Sequence, residues 1–124
     1  MKFTKLKLIK LFGATVLMVM GSAAVAQTQN FPVKPIRLVV PFAPGAINDT
    51  IARLVSDRLA TALGRTVIVE NKPGAGSQIG TAFVAKAAST GETLLMGAAD
   101  GLSVLPAIKP SLGYSVPDSF SFIT

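Results

Sequence analysis

The chain has no cysteine and no histidine, and its aromatic residues are sparse. Without cysteine there is no disulfide framework, no thiolate nucleophile and no zinc–sulfur site. Without histidine the Ser-His-Asp and Cys-His arrangements are absent, as are imidazole metal ligands. The acidic residues number only six, lie far apart, and fall in no metal-loop pattern. A chain so badly equipped for catalysis is read as a non-enzyme, with no metal and no cofactor expected.

What is present at the N-terminus has a clear order. Lys2, Lys5, Lys7 and Lys10 form a basic stretch with no acidic residue, Leu11–Met20 is an apolar run of ten residues, and Ala24-Val25-Ala26 is a small-x-small site. These are the three parts of a secretory signal peptide. The apolar run is too short for a membrane-spanning helix, which needs about 20 apolar residues. Residues 1–26 are therefore expected to be removed on export to the periplasm. The mature chain of 98 residues, starting at Gln27, would not insert into the membrane.

The charge reading changes once the signal is set aside. Net charge over the whole chain is +6, but four of the twelve basic residues lie in the first 26, leaving eight basic against six acidic and a net of +2. Nothing basic is clustered along the sequence, so an isoelectric point near 10 is no argument for a nucleic-acid partner.

The mature segment reads as alternating strands and helices. Residues 27–34 are an extended lead-in, since Pro32 and Pro35 oppose a helix start. Ile36–Val40 is a nearly continuous apolar strand of the kind buried on both faces of a parallel sheet. A helix is expected over Thr50–Leu63, opened by Asn48 or Asp49 and stopped by Gly64, with Ile51, Leu54, Val55, Leu59 and Ala62 as its apolar face. Asp49–Arg53 and Arg53–Asp57 stand at i, i+4 along it. A second strand over Thr66–Glu70 leads into the loop Asn71–Ser77. A second helix follows from about Gln78 to Ala88, with Ile79, Phe83, Val84 and Ala87 inward, and then a third strand over Thr93–Gly97. This order predicts an α/β fold, a parallel open sheet of βαβ units. Leu102–Ile108 is a short helix interrupted by Pro106, and Pro110–Pro117 is a loop.

Two loops could bind a ligand. Pro41–Asp49 runs from the end of a strand to the start of a helix, where open α/β sheets take ligands and helix N–H groups attract anions. An ordinary capped turn explains the same residues equally well. Gly74–Gly80 precedes a helix, and Asp100 stands twenty residues beyond Gly80, as a dinucleotide site would require. The G-x-G-x-x-G spacing, however, needs glycine where this chain has Ile79, and Lys72-Pro73 separates the loop from its strand. Ser77 and Ala98–Gly101 lie at strand or helix ends on the same rim and are lesser candidates.

An ordered set of short motifs runs through the mature chain. They are Pro41-Phe42-Ala43-Pro44-Gly45, Asp49, Ala52-Arg53, Val69-Glu70-Asn71, Pro73-Gly74-Ala75-Gly76, Ile79-Gly80, Val84-Ala85-Lys86-Ala87 and Thr93-Leu94-Leu95, with Tyr114, Phe120 and Ile123-Thr124 beyond. Together they resemble the substrate-binding proteins of tripartite tricarboxylate transporters, the Bug family of periplasmic receptors. The resemblance implies a monomer that captures a small carboxylate and delivers it to membrane permease subunits. It also implies two α/β lobes with the ligand between them. Residues 27–124 would then be an incomplete N-terminal lobe of a truncated receptor. The ligand contacts it implies are Phe42 as an apolar wall, Pro44, and Gly45, Ala46 and Asn48 through N–H groups. Asp49 would bind water or an amino group unless it only caps the helix, and Gly76, Ser77 and Ala98 complete the set. The alternative is a fragment of an exported nucleotide-binding α/β enzyme. Three departures from the family pattern stand out: Ala46-Ile47-Asn48 in the first loop, Ser77-Gln78 in place of Gly-Asn, and Thr90-Gly91-Glu92 in place of Asp-Gly-Tyr. A Cβ at position 46 is expected to restrict the positive φ a second glycine would allow.

Overall fold

The computed structural model describes residues 34–123. The expected signal peptide, its cleavage site and most of the extended lead-in lie outside the described residues.

Strand β1, Ile36–Val40, lies at the centre of a three-stranded parallel sheet, between β2, Val67–Asn71, and β3, Thr93–Leu95. Its apolar run explains the position, because Ile36, Leu38, Val39 and Val40 are all buried. The register pairs Ile36 with Val67 and Val40 with Asn71 on one side, and Arg37 with Thr93 and Val39 with Leu95 on the other. The first crossover runs from β1 outward to β2 and the second returns from β2 across β1 to β3, and right-handed connections in these opposite directions place the two helices on opposite faces. Helix α1, Ile47–Leu63, packs on β1 and β2, while α2, Gln78–Ala85, packs on β1 and β3. The parallel α/β fold expected from the sequence is the one observed. Among the described residues no helix is long and apolar enough to cross a membrane.

Helix α1 begins three residues earlier than expected. Ala46 is its extended N-cap and makes no side-chain cap, so neither Asn48 nor Asp49 opens the helix. Its end follows the sequence closely. Gly64 takes the left-handed conformation, its N–H reaching Thr61 O at 3.4 Å while the Arg65 N–H reaches Ala60 O at 3.1 Å. This is a Schellman stop.

The buried face of α1 is not the expected one. Asp49, Ala52 and Ser56 are buried, whereas Ile51, Leu54 and Val55 are exposed, Leu54 by 66%. The contact row consists of small side chains, which lets the helix approach the sheet closely. Ser56 tolerates burial because its hydroxyl donates to Arg53 O at 2.8 Å. Leu38, Val40 and Ala52 form the core, with Phe42, Val67, Val69, Leu94 and Met96 packed against it.

Helix α2 is shorter than expected and also turned. Gly80 and Thr81 are buried, Phe83 and Val84 are partly covered, and Ile79 is 54% exposed. The reason is a close approach: a Cβ at Gly80 would stand 2.8 Å from Lys72 O and 2.8 Å from both Cα and Cβ of Pro41. Strand β3 stops at Leu95 rather than Gly97. A π-helical turn, Asp100–Val104, then runs into the short helix α3, Leu105–Ile108. Pro106 sits in the first turn of α3, directly after the π-helical turn, so the helical path changes its bonding pattern beside the proline and continues to Ile108. The Tyr114 hydroxyl donates to Gly101 O at 2.6 Å, and its ring meets Phe120 edge-on at 6.0 Å, tying the following segment to the π turn.

The contact at Gly80 involves main-chain atoms that cannot swing aside. Gly80→Ala is expected to lower stability by about 1–3 kcal/mol, the usual penalty for overpacking, as read from urea unfolding.

Candidate functional site

The carboxyl ends of β1 and β2 open into two loops, and a buried carboxylate organises the first. Asp49 is 3% exposed and stands at the third position of α1. Its Oδ2 accepts from the Gly45 N–H at 2.9 Å and from Arg53 Nε at 3.0 Å. Its Oδ1 accepts from Arg53 Nη2 at 3.0 Å and from Asn71 Nδ2 at 2.9 Å. Asn71 Nδ2 also donates to Phe42 O at 3.1 Å, and its Oδ1 accepts from Arg53 Nη2 at 3.3 Å. The ring of contacts thus joins the loop after β1, the first turns of α1 and the last residue of β2.

This use of Asp49 leaves the helix start uncapped. Ala46 N–H bonds back to Ala43 O at 3.2 Å, and Thr50 N–H takes Ala46 O at 3.0 Å. The N–H groups of Ile47, Asn48 and Asp49 find no acceptor among the described residues. Ala46 itself has φ −67° and ψ 162°, an ordinary extended conformation, while the positive φ of 84° falls on Gly45. The expected restriction at position 46 is therefore absent: the loop requires no left-handed residue there.

The second loop is wound the other way. Gly74, Ala75, Gly76 and Ser77 have φ of 125°, 49°, 60° and 70°, four left-handed residues in succession. Two of them carry a Cβ, which disfavours this conformation. Ser77 is the N-cap of α2, but in the left-handed conformation its hydroxyl makes no cap bond. That hydroxyl is buried without a partner among the described residues, and a Cβ at Gly101 would stand 2.6 Å from it and 2.6 Å from Thr81 Oγ1. The N–H groups of Ile79 and Gly80 find no acceptor among the described residues. The Gly80–Pro41 contact sets the first turn of α2 against the end of β1, where the first loop departs. Where a dinucleotide site would need glycine, the Ile79 side chain folds over the loop, its Cδ1 2.6 Å from a Cβ built at Gly74.

A family model described as the tripartite tricarboxylate transporter family receptor, TctC, matches residues 51–124. The chain belongs to that family. Two relatives come from Bordetella pertussis: a UPF0065 protein, 42% identical over 83% of this chain, and Protein BugT, 40% identical over 77%. The chain spans 32% and 30% of those two relatives' lengths. Among solved structures it resembles one described as a periplasmic transporter, with TM-score 0.65 and 46% identity over 68% of this chain and 28% of that one. It also resembles MatC from Rhodopseudomonas palustris with bound malate, with TM-score 0.51 and 45% identity over 52% of this chain and 22% of that one. The family is one of receptors, in agreement with the reading of this chain as a non-enzyme.

The residues singled out in this TctC-family chain divide into groups. Gly45, Ala46, Asn48 and Asp49 gather at the start of α1, with Pro44 exposed beside them. Phe42 is half-buried and packs against the core, so most of its ring serves the fold. Gly76 and Ser77 lie across the Gly80–Pro41 contact. Ala98 lies apart from these loops, on the wall of a large apolar groove beside β3. The role of Asn71 was missed by sequence reasoning; an asparagine placed directly at a strand end was the available signal.

The carboxyl of Asp49 is held at about 2, below its usual 3.8, first by the Arg53 hydrogen bond, then by the Gly45 N–H and the Asn71 amide, against the opposing effect of burial. A folded-state value below the unfolded one stabilises the fold only while the acid is ionised. The contribution is complete above 3.8 and disappears as pH falls toward 2. Glu70 is shifted the same way by Lys72 and then Arg37. Asp49→Asn should therefore flatten, without abolishing, the loss of stability across that acid window, as followed by circular dichroism during acid titration.

Ser77 combines left-handed backbone, costing about 1–2 kcal/mol, with an unpaired buried hydroxyl, costing about 1–3 kcal/mol. Ser77→Gly removes both and is expected to raise the melting temperature. An unchanged or lower melting temperature would show that the hydroxyl has an acceptor in solution.

Proposed function

We propose that this chain is the ligand-capturing part of an exported, monomeric periplasmic receptor that takes a small carboxylate and delivers it to the permease subunits of a tripartite tricarboxylate-type transporter. The observation that carries this reading is the pair of uncapped helix starts at the carboxyl edge of the sheet. First-turn N–H groups and the positive ends of two helices attract an anion, and two adjacent donors suit the two oxygens of a carboxylate. In this reading Gly45, Ala46 and Asn48 line one side of the anion, Gly76 and Ser77 the other, and Phe42 and Pro44 form an apolar wall, whereas Ala98, on the groove beside β3, is not part of the site. Asp49 is not a ligand contact, because both of its oxygens already hold two donors each. Arg53 balances its charge, so the carboxylate does not repel an incoming anion as a bare one would. The malate bound by MatC is a small dicarboxylate of the class proposed here.

Removing one donor without disturbing the fold tests the reading. Ile47 is the first residue of α1, a position proline favours, and the extended Ala46 before it suits a following proline. Ile47→Pro is expected to leave stability unchanged or slightly higher. Carboxylate affinity should fall about tenfold or more, since a hydrogen bond to a charged group contributes roughly 1.5–3 kcal/mol. Calorimetry with malate and citrate reads the affinity, and NAD serves as the control that should not bind. Unchanged carboxylate affinity in the variant, or binding of NAD by the parent protein, would overturn the reading.

A further inference from the structure

Basic residues that are scattered along the sequence converge around one face of α2. Arg37 comes from β1, Lys72 follows β2, Lys86 ends α2, and Lys109 follows α3. The Arg37 guanidinium lies 5.1 Å from the centre of the Phe83 ring and Lys72 Nζ lies 4.2 Å from it. Both are anchored by Glu70: Arg37 Nε donates to Oε2 at 2.9 Å and Lys72 Nζ pairs with Oε1 at 2.7 Å. Lys109 Nζ is held by Gln78 Oε1 at 2.7 Å, and the side-chain amide of Gln78 donates to Leu112 O at 3.4 Å. These four are half of the eight basic residues found beyond residue 26, and Glu70 pairs with two of them.

Between them runs an open groove of about 450 Å³ along α2, walled by Ala75, Ile79, Ala82, Phe83 and Leu112, with Lys86 on its edge. Ile79 is 54% exposed on this wall. The groove therefore offers an apolar floor within a positive rim. Glu70 and Gln78 hold three of the four cations in place, so less side-chain freedom is lost when an anion engages them. The larger groove beside β3 differs in kind, since its lining includes Asp118 and no basic residue.

The geometry points to this face as a docking surface for an acidic protein segment, one presenting two or three carboxylates around an apolar side chain. Its charge complements the rim, and its apolar side chain fills the floor beside Ile79 and Phe83. A bilayer surface bearing anionic headgroups is the competing occupant, and the experiment below separates the two. The groove reaches the start of α2 through Ala75, Gln78 and Ile79, but the inference rests on the side chains along it and not on the N–H groups of that helix start.

A dye-labelled peptide of sequence Asp-Leu-Glu-Glu-Leu-Asp, titrated by the full chain and read by fluorescence anisotropy, tests it. Its Asn/Gln counterpart is the control. Binding of the acidic peptide should weaken about tenfold when salt rises from about 0.05 to about 0.2 M, as screening requires. It should weaken to a similar degree in Lys86→Glu with Lys109→Glu, two exposed side chains whose reversal leaves the fold's core untouched. Ile79→Ser, on the exposed wall, should weaken it with no change in salt dependence. Equal binding of the neutral peptide, equal binding by the charge-reversed protein, or capture of phosphatidylglycerol vesicles in place of the peptide would overturn the inference.

Discussion

The carboxylate of Asp49 is the point on which the loop after β1 depends. It gathers Gly45 from the loop, Arg53 from the second turn of α1 and Asn71 from the end of β2, and Asn71 in turn holds the carbonyl of Phe42. The position of this group decides what the helix start can do. An aspartate at the N-cap would spend its oxygens on the N–H groups of the following turn. Set three residues inside, it reaches backward to Gly45 and leaves those N–H groups unused. The same side chain therefore fixes the loop and keeps the helix end open.

Burying such a group demands full pairing. An ionised carboxylate removed from water is strongly destabilising unless charge and hydrogen bonds replace its hydration. Here the two-pronged Arg53 contact supplies the charge, and the amide of Asn71 and the N–H of Gly45 supply the rest. Arg53 keeps much of its side chain in solvent, so its own desolvation is modest. A negative group near the helix start also interacts favourably with the dipole, which helps to offset burial. Helix, loop and strand end are consequently coupled: loosening one partner leaves the others facing an underpaired charge.

The sequence made some of this legible. β1 was readable to the residue because Ile36–Val40 is a nearly continuous apolar run broken only by Arg37, and the stop at Gly64 was readable because the left-handed conformation there suits glycine. The Asp49–Arg53 pair followed from helical spacing. The facing of α1 did not, because periodicity identifies a stripe of large apolar residues without showing which stripe the sheet can approach. Close packing selected Ala52 and Ser56 and left Leu54 outside. The facing of α2 was misread for the same reason, with Gly80 against Pro41 prevailing over Ile79. Asn71 was hidden for a different reason: its partners are 22 and 29 residues away, and only strand register brings them together. Within the candidate site, the loops were visible as Pro/Gly punctuation, whereas the donors they leave free depended on backbone conformation.

The two loops arrive at open helix starts by opposite routes. In the first, the N-cap is an alanine with no side chain to offer, and the nearby acid is turned away toward Gly45 and Asn71. In the second, the N-cap is a serine that could cap, but four successive left-handed residues set its φ at 70° and direct the hydroxyl into the protein. One backbone conformation thus produces both irregularities at Ser77, the strained φ and the orphaned hydroxyl, and leaves the N–H groups of Ile79 and Gly80 unpaired as well. The tight Gly80–Pro41 contact holds the first turn of α2 against the end of β1, so the second loop is fixed to the strand from which the first loop departs.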